Sequence, residues 1–209
     1  MAEDDFSSVP FNDWADTYDR DVASQTTFPF AGYEQALATV VELAQAQPGM
    51  TVLDLGTGTG NLALRFTRLG CSLWCTDFSE PMLAKARLKV PQAHFLLHDL
   101  RAPWPEALDL TFDRIVSGYV FHHFELEEKV RLCRQLTKRH LVPGGKFIVA
   151  DVSFPDAEAM AAFARSVGNL WEQEPYWLAD ESIRALRQAG LRPDYVQVSP
   201  CAGVYAFTA

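Results

Sequence analysis

Three glycines alternate directly after a short apolar run. The stretch VLDLGTGTGNLALRF, from residue 52, places Gly56, Gly58 and Gly60 in one loop. Positions without a Cβ tolerate positive φ and let a ligand come close to the main chain. A helix starting near Asn61 would aim its N-terminal amides at that ligand, which suits a carboxylate or a phosphate. The dinucleotide fingerprint GxGxxG needs a third glycine where Asn61 stands, so the fit to it is poor. Asp54, at the end of the apolar run, would oppose a pyrophosphate. It suits a cationic amine beside a carboxylate, which is an amino-acid group.

Two further acids follow two further apolar runs. Asp77 comes after LWCT, and a carboxylate there can accept both hydroxyls of a ribose while repelling a ribose phosphate. Asp99 comes after FLLH, where an acid can receive the exocyclic amine of adenine. An amino-acid head, a ribose diol and an adenine together describe S-adenosylmethionine. Its reactive group is a methyl on a sulfonium, so the protein has to supply position more than chemistry. Alignment of acceptor, methyl and sulfur can contribute roughly 7–11 kcal/mol. No GxSxG elbow and no Cys–His arrangement calls for a covalent enzyme intermediate.

Aromatic faces suit a sulfonium or a cationic acceptor. Candidates are Trp14, Tyr18, Tyr33, Tyr119, Phe121, Trp171, Tyr176 and Trp177. His122 and His123 follow the fourth apolar run, where a histidine works as a general base with little tuning. Adjacent side chains point apart, so at most one of the pair is expected to face a ligand. The candidate catalytic residues are His122, His123 and Tyr119. His94, His98 and His140 stand in no chemical context.

These residues need a scaffold that brings strand ends together. Helical spacing over 31–46 is followed by strands at 51–55, 72–76, 93–97, 112–117 and 146–151. Ser79 caps a helix with Pro81 in its first turn, and Pro91 ends it. Glu125 to His140 reads as an amphipathic helix, acidic early and basic late as its dipole favours. Pro143-Gly144-Gly145 turns the chain into the fifth strand. Asp180 is expected to cap a helix reaching Ala189, closed by Gly190. Residues 193–199 and 203–209 read as an antiparallel pair joined at Pro200. Strand–helix alternation predicts an α/β, doubly wound, Rossmann-like sheet of seven strands, mostly parallel with one antiparallel strand at its end. Ligands of such sheets sit outside the carboxyl ends of the strands, here the loops 56–60, 77–79, 99–101 and 117–124.

Composition sets the outer limits. The chain has 209 residues, 48% of them hydrophobic and 22% charged. That suits one globular domain over 1–209, with an N-terminal segment (1–30) and an insertion (154–178) before the last helix. A domain of this size buries roughly 70% of its unfolded surface without staples. The net charge of −9 makes nucleic acid a poor partner, and the basic stretch Arg131 to Arg139 reads as the wet side of a helix. The acidic start MAEDDF is unlike an export signal, and no apolar run is long enough for a membrane span. Cys71, Cys75, Cys133 and Cys201 form no CxxC pair and no zinc-ligand spacing, so a reduced, cytoplasmic protein without a metal is expected.

The chain resembles the class I S-adenosylmethionine-dependent methyltransferases. VLDLGTGTG is similar to their first motif, TDFSEPM and LLHDL to the two acidic loops, and FDRIVSGYVFHHF and LVPGGKFIVAD to the later motifs. FNDWADTYDR, FAGYEQAL, GTGTGNL and SGYVFHHFELEEK also resemble the small bacterial YrrT-like subgroup (methyltransferase type 11). Thr57 departs from the proline common at that slot. The resemblance implies cofactor contacts at Asp54, Gly56, Gly58, Gly60, Asp77, Phe78, Met82, Asp99, Leu100, Ser117 and Gly118. It also implies that FNDWADTYD is a short helix closing as a lid, with Trp14 and Tyr18 over the cofactor. The aromatic insertion and the lid favour a small-molecule acceptor and a monomer or homodimer. Two other readings are an NAD-dependent oxidoreductase, which Asn61 and the missing substrate domain disfavour, and a non-catalytic cofactor-binding protein.

Overall fold

The computed structural model describes residues 8–23 and 28–209. MAEDDF and part of the N-terminal segment therefore lie outside the described residues. The strands are β1 (Thr51–Leu55), β2 (Ser72–Asp77), β3 (His94–Leu97), β4 (Phe112–Gly118), β5 (Leu141–Phe154), β6 (Trp177–Leu178), β7 (Asp194–Ser199) and β8 (Ala202–Thr208). The main path runs β3-β2-β1-β4-β5-β8-β7, and two-residue β6 pairs with β5 off that path. The first five strands are parallel. β8 runs antiparallel to both β5 and β7, so it is the one reversed strand of the path. The order reverses between β1 and β4, and a switch point of that kind opens a crevice at the carboxyl ends.

The helices are α1 (Val9–Trp14), α2 (Tyr18–Ala23), α3 (Tyr33–Ala44), α4 (Asn61–Arg68), α5 (Glu80–Lys89), α6 (Leu126–Arg139), α7 (Ala157–Val167) and α8 (Ala179–Gln188). Successive strand residues point to opposite faces. Val52, Val116 and Ile148 accordingly pack with Leu37 and Val40 of α3 and Phe66 of α4. Leu53, Ile115 and Phe147 pack on the other face with Leu132 and Leu136 of α6 and Leu186 of α8. Phe147 stacks on Phe207 with ring centroids 5.3 Å apart. Truncating so buried a ring costs about 3–5 kcal/mol.

Local signals explain several boundaries. The Ser79 Oγ accepts the Met82 amide at 3.3 Å and starts α5. α6 opens with a capping box in which the Glu125 amide donates to Glu128 Oε2 at 3.1 Å. Three expectations need correction. The FNDWADTYD segment is two short helices, α1 and α2, not one, and the break falls at 15–17. Asp180 lies inside α8, one residue after its start, and its carboxylate accepts only the next amide, while Leu178 takes the capping position. Pro143-Gly144-Gly145 is an excursion within β5, with Gly144 at φ 76°. The pairing jumps from Phe112↔Leu141 to Arg114↔Lys146 across it. The insertion is largely structured, as α7, a 3-10 turn at Gly168–Leu170 and β6. Among the described residues no helix is long and apolar enough to cross a membrane.

Candidate functional site

A cavity of about 820 Å³ lies at the carboxyl ends of β1 to β4, beneath α1 and α2. Its volume falls in the range of small-molecule and cofactor sites, roughly 300–1,000 Å³. Gly56, Gly58, Asp77, Phe78, Met82, Asp99 and Leu100 line it, as do Gly118, Tyr119, Trp14 and Tyr18 of the sequence-predicted set. Three expected contacts are elsewhere. Asp54 points into the glycine loop, where its Oδ2 accepts the Thr57 hydroxyl at 2.6 Å. Gly60 faces α5, since a Cβ there would lie 3.2 Å from Ala86. Ser117 is fully buried and donates its hydroxyl to the Leu55 carbonyl. These three shape the loop and strands that line the cavity.

The glycine loop turns through the left-handed region at each of its glycines, with φ of 65°, 54° and 88° at Gly56, Gly58 and Gly60. A Cβ on Gly56 would meet Val120 at 2.2 Å, whereas one on Gly58 would meet nothing within 4 Å. Gly58 thus borders open cavity, and its missing side chain is the cradle. Asp77 joins this loop to β2. Its Oδ2 accepts the Gly58 amide at 2.8 Å and its Oδ1 accepts the Ser79 amide at 2.9 Å. A carboxylate offers about four lone-pair sites, so Asp77 retains capacity for a ligand diol. Burial pushes Asp77 up to about 6, against the amides that favour its charge. Burial likewise pushes Asp54 to about 7, with the Thr57 hydroxyl opposing and the Asp77 charge adding.

Buried polar atoms at this end with no partner among the described residues include Asp54 Oδ1, Thr76 Oγ1, His98 Nε2 and the Tyr119 hydroxyl. Tyr119 also holds a left-handed φ of 59°, a strained state for a residue with a side chain. Such strain at a cavity wall fits a ligand-facing role. The open cradle at Gly58, the carboxylate at Asp77 and the unpartnered Tyr119 hydroxyl fit a polar, nucleoside-like cofactor.

The helices α1 and α2 are tied down over the cavity by side chains absent from the sequence-predicted set. Asp19 of α2 accepts the Thr59 hydroxyl at 2.6 Å and the Lys89 ammonium at 2.6 Å. Asn12 of α1 accepts the Ser79 hydroxyl at 2.6 Å, and Lys85 pairs with Asp16 at 2.7 Å. Beneath this seam, Trp14 lies edge-on to Tyr18 at 4.8 Å and tilts against Phe30 at 5.7 Å. Phe11 meets Phe78 at 5.1 Å and His123 at 5.4 Å. Asp99 spends one oxygen on the Arg101 amide at 2.9 Å.

At the far end, both histidines line the cavity, contrary to the expectation that at most one would. The 3-10 turn Phe121–His123 brings their rings to 4.0 Å. His122 Nδ1 meets Asp151 Oδ1 at 2.5 Å, and Asp151 also accepts the His122, Val152 and Trp177 N–H groups. Burial works against charge on His122, but Asp151 beside it more than compensates and holds its pKa above the ordinary value. Burial and His122 together hold His123 below. Glu174, from the insertion, approaches His122 Nε2 at 3.4 Å and His123 Nδ1 at 3.5 Å. Of the remaining aromatic candidates, Tyr176 also lines the cavity. Phe121 and Trp177 are fully buried core residues, Trp171 stacks on Phe28, and Tyr33 packs against Phe30 and Tyr119.

A switch-point cavity with a glycine loop and strand-end acids defines a nucleoside-cofactor-binding α/β protein. Comparison with known proteins narrows this. Residues 52–145 match the family profile described as "Methyltransferase domain". An uncharacterized methyltransferase of Geobacillus sp. (strain WCH70) is 35% identical over 179 residues, covering 82% of this chain and 78% of that one. The DhpI–SAH complex superposes with a TM-score of 0.71 at 18% identity, covering 95% of this chain and 93% of that one. Magnesium protoporphyrin IX methyltransferase (ChlM) from Synechocystis PCC 6803, with bound SAH, superposes with a TM-score of 0.69 at 16% identity, covering 97% and 99%. The chain belongs to the methyltransferase family, and its fold is that of the class I S-adenosylmethionine-dependent enzymes.

Proposed function

We propose that this protein transfers a methyl group from S-adenosylmethionine to a small-molecule acceptor by in-line displacement. The observation that carries the reading is one cavity running from the Gly58 cradle to the histidine pair, roofed by aromatic side chains. Gly56 and Gly58 hold the amino-acid end against the main chain, and Asp77 accepts the ribose hydroxyls. Asp99 and the Leu100 amide meet the adenine, with Phe78 and Met82 along the adenosine. When bound, the cofactor supplies an electrophilic methyl on a sulfonium. Trp14 and Tyr18 close over it and exclude water.

His122, His123 and Tyr119 stand at the acceptor end. The helices α1 and α2 are tied over the cavity through the Asn12–Ser79 and Asp19–Thr59 bonds, and the cavity volume of about 820 Å³ suits a small acceptor. The net charge of −9 speaks against a nucleic-acid acceptor. The protein works in the cytoplasm as a monomer or homodimer in this reading.

The test is a panel of small hydroxyl, amine and thiol acceptors with methyl-labelled cofactor. Label should pass to at least one acceptor, with S-adenosylhomocysteine formed in equal amount. Binding of the cofactor without transfer to any class, or transfer only to a polynucleotide, would contradict the proposal.

A further inference from the structure

We propose that His122, His123 and Glu174 form a binding site for a divalent transition-metal cation of the zinc type at the acceptor end of the cavity. The inference rests on the functional reading above only in that the same cavity receives the acceptor.

The geometry is that of a ligand set. One donor atom from each of the three side chains lies within 4.8 Å of the others. Glu174 Oε2 stands 3.4 Å from His122 Nε2, and Glu174 Oε1 stands 3.5 Å from His123 Nδ1. Charge-assisted hydrogen bonds are shorter, about 2.7–2.9 Å. These two separations involve different carboxylate oxygens and lie close to the roughly 3.3 Å that tetrahedral zinc imposes on ligands about 2.0–2.1 Å from the ion, while the set with one atom per residue spans up to 4.8 Å and would draw together on binding.

His122 is prepared for this role. Its Nδ1 faces Asp151 Oδ1 at 2.5 Å and is held there as the protonated nitrogen. Asp151 is fully buried and takes three further N–H donors, from His122, Val152 and Trp177. In the neutral ring Nε2 therefore carries the lone pair, and it is the nitrogen that faces Glu174. A carboxylate that fixes the tautomer of an imidazole in this way is the usual support of a metal-ligating histidine.

Glu174 is also held from behind. The Lys129 ammonium donates to the Pro175 carbonyl and lies 5.1 Å from the Trp177 ring. The Tyr176 amide donates to the Glu174 carbonyl at 2.7 Å, and the Tyr176 hydroxyl donates to the Glu172 carbonyl at 2.7 Å. The segment between α7 and β6 is thereby pinned with the carboxylate toward the histidines. Two imidazoles and one carboxylate favour zinc, cobalt or nickel over magnesium or calcium. Three protein ligands at a cavity wall leave a position open, the pattern of reactive rather than structural zinc. That position faces the space where an acceptor's oxygen, nitrogen or sulfur would complete the coordination, with His122 and His123 acting as ligands. Cysteine and histidine spacing in the sequence predicts no metal. The third ligand comes from the insertion, far along the chain.

The experiment uses untagged, chelator-treated full-length protein titrated with Co²⁺ alone, read by visible d–d absorption, and with Zn²⁺ by calorimetry. One saturable equivalent is expected, with the intense bands of four- or five-coordinate cobalt. Glu174→Gln, which leaves the core intact, should weaken it at least tenfold. Asp151→Asn should weaken it roughly 10–100-fold, the usual effect of losing a supporting carboxylate. Binding of S-adenosylhomocysteine is measured on the same samples. Absence of saturable cobalt binding, or cobalt binding unchanged in folded Glu174→Gln, overturns the metal site whatever the cofactor does. Cobalt binding without S-adenosylhomocysteine binding would uphold the metal site and overturn the methyltransferase reading instead.

Discussion

Asp77 Oδ2 and the Gly58 amide lie 2.8 Å apart, and this bond ties the end of β2 to the glycine loop that follows β1. One carboxylate thus shapes the glycine loop at the wall of the cavity. The loop could not adopt this path with side chains. Its three glycines are all left-handed, a conformation that costs other residues roughly 1–2 kcal/mol.

Substitutions at Gly56 and Gly58 should separate folding from binding. A Cβ on Gly56 would collide with Val120 at 2.2 Å, while one on Gly58 enters open cavity. Gly56→Ala is expected to lower stability by about 2–4 kcal/mol, from strain plus overpacking. Gly58→Ala should cost only about 1–2 kcal/mol yet weaken S-adenosylhomocysteine at least tenfold. Thermal melts and calorimetry check both. Equal affinity in Gly58→Ala and the parent protein would place the ligand elsewhere.

Burial raises both strand-end acids, Asp54 to about 7 and Asp77 to about 6, above the ordinary value of 3.8. The folded ligand-free protein therefore keeps protons that the unfolded chain has already lost between pH 4 and 7. Their contribution to stability grows as pH falls through that window and is least above about pH 7. Asp54→Asn should accordingly stabilise the free protein at pH 8 by on the order of 2 kcal/mol, and the gain should shrink toward pH 5. Cofactor affinity should move the other way, falling as Asp77 takes up its proton below about pH 6. Melting curves of both proteins from pH 5 to 8 test the first statement, and titrations at the same pH values test the second. A gain that is flat with pH would mean that Asp54 is already ionised without penalty.

Asp19 ties α2 to the glycine loop and α5 by holding Thr59, Asn61 and Lys89. Its side chain is half exposed, so the bonds contribute little to global stability. Asp19→Ala should change the melting temperature by only a few degrees while speeding S-adenosylhomocysteine release about tenfold, measured by stopped flow. Hydrogen exchange over 9–23 should slow on ligand binding in the parent protein and much less in the variant. Equal release rates would mean that α1 and α2 do not gate the cavity.

Much of this architecture is legible in the sequence because β1 to β4 are short apolar runs that carry or are soon followed by an acid or a glycine. Asp54, Asp77 and Asp99 stand out for that reason, and the strands they end have the expected starts or ends to within a residue or two. The same rule applied to KFIVAD would have found Asp151, the buried acid that fixes His122. The Asp19 tie was not legible, since Asp19, Thr59 and Lys89 are ordinary polar residues on three separate elements. Nor was Glu174, whose role depends on how the insertion folds back over β5. The shared wall of the histidine pair is not legible either, since their 4.0 Å ring approach and their contacts with Asp151 and Glu174 come from tertiary packing rather than from local spacing.

The most direct test is calorimetric titration of the protein and of Asp77→Ala with S-adenosylhomocysteine at pH 7.5. One equivalent should bind the parent protein. Asp77→Ala, folded by circular dichroism, should lose at least a hundredfold in affinity, since it forfeits both the Gly58 anchor and the diol acceptor. No binding to the parent protein, or equal binding to both, would contradict a cofactor cradled between the glycine loop and this carboxylate.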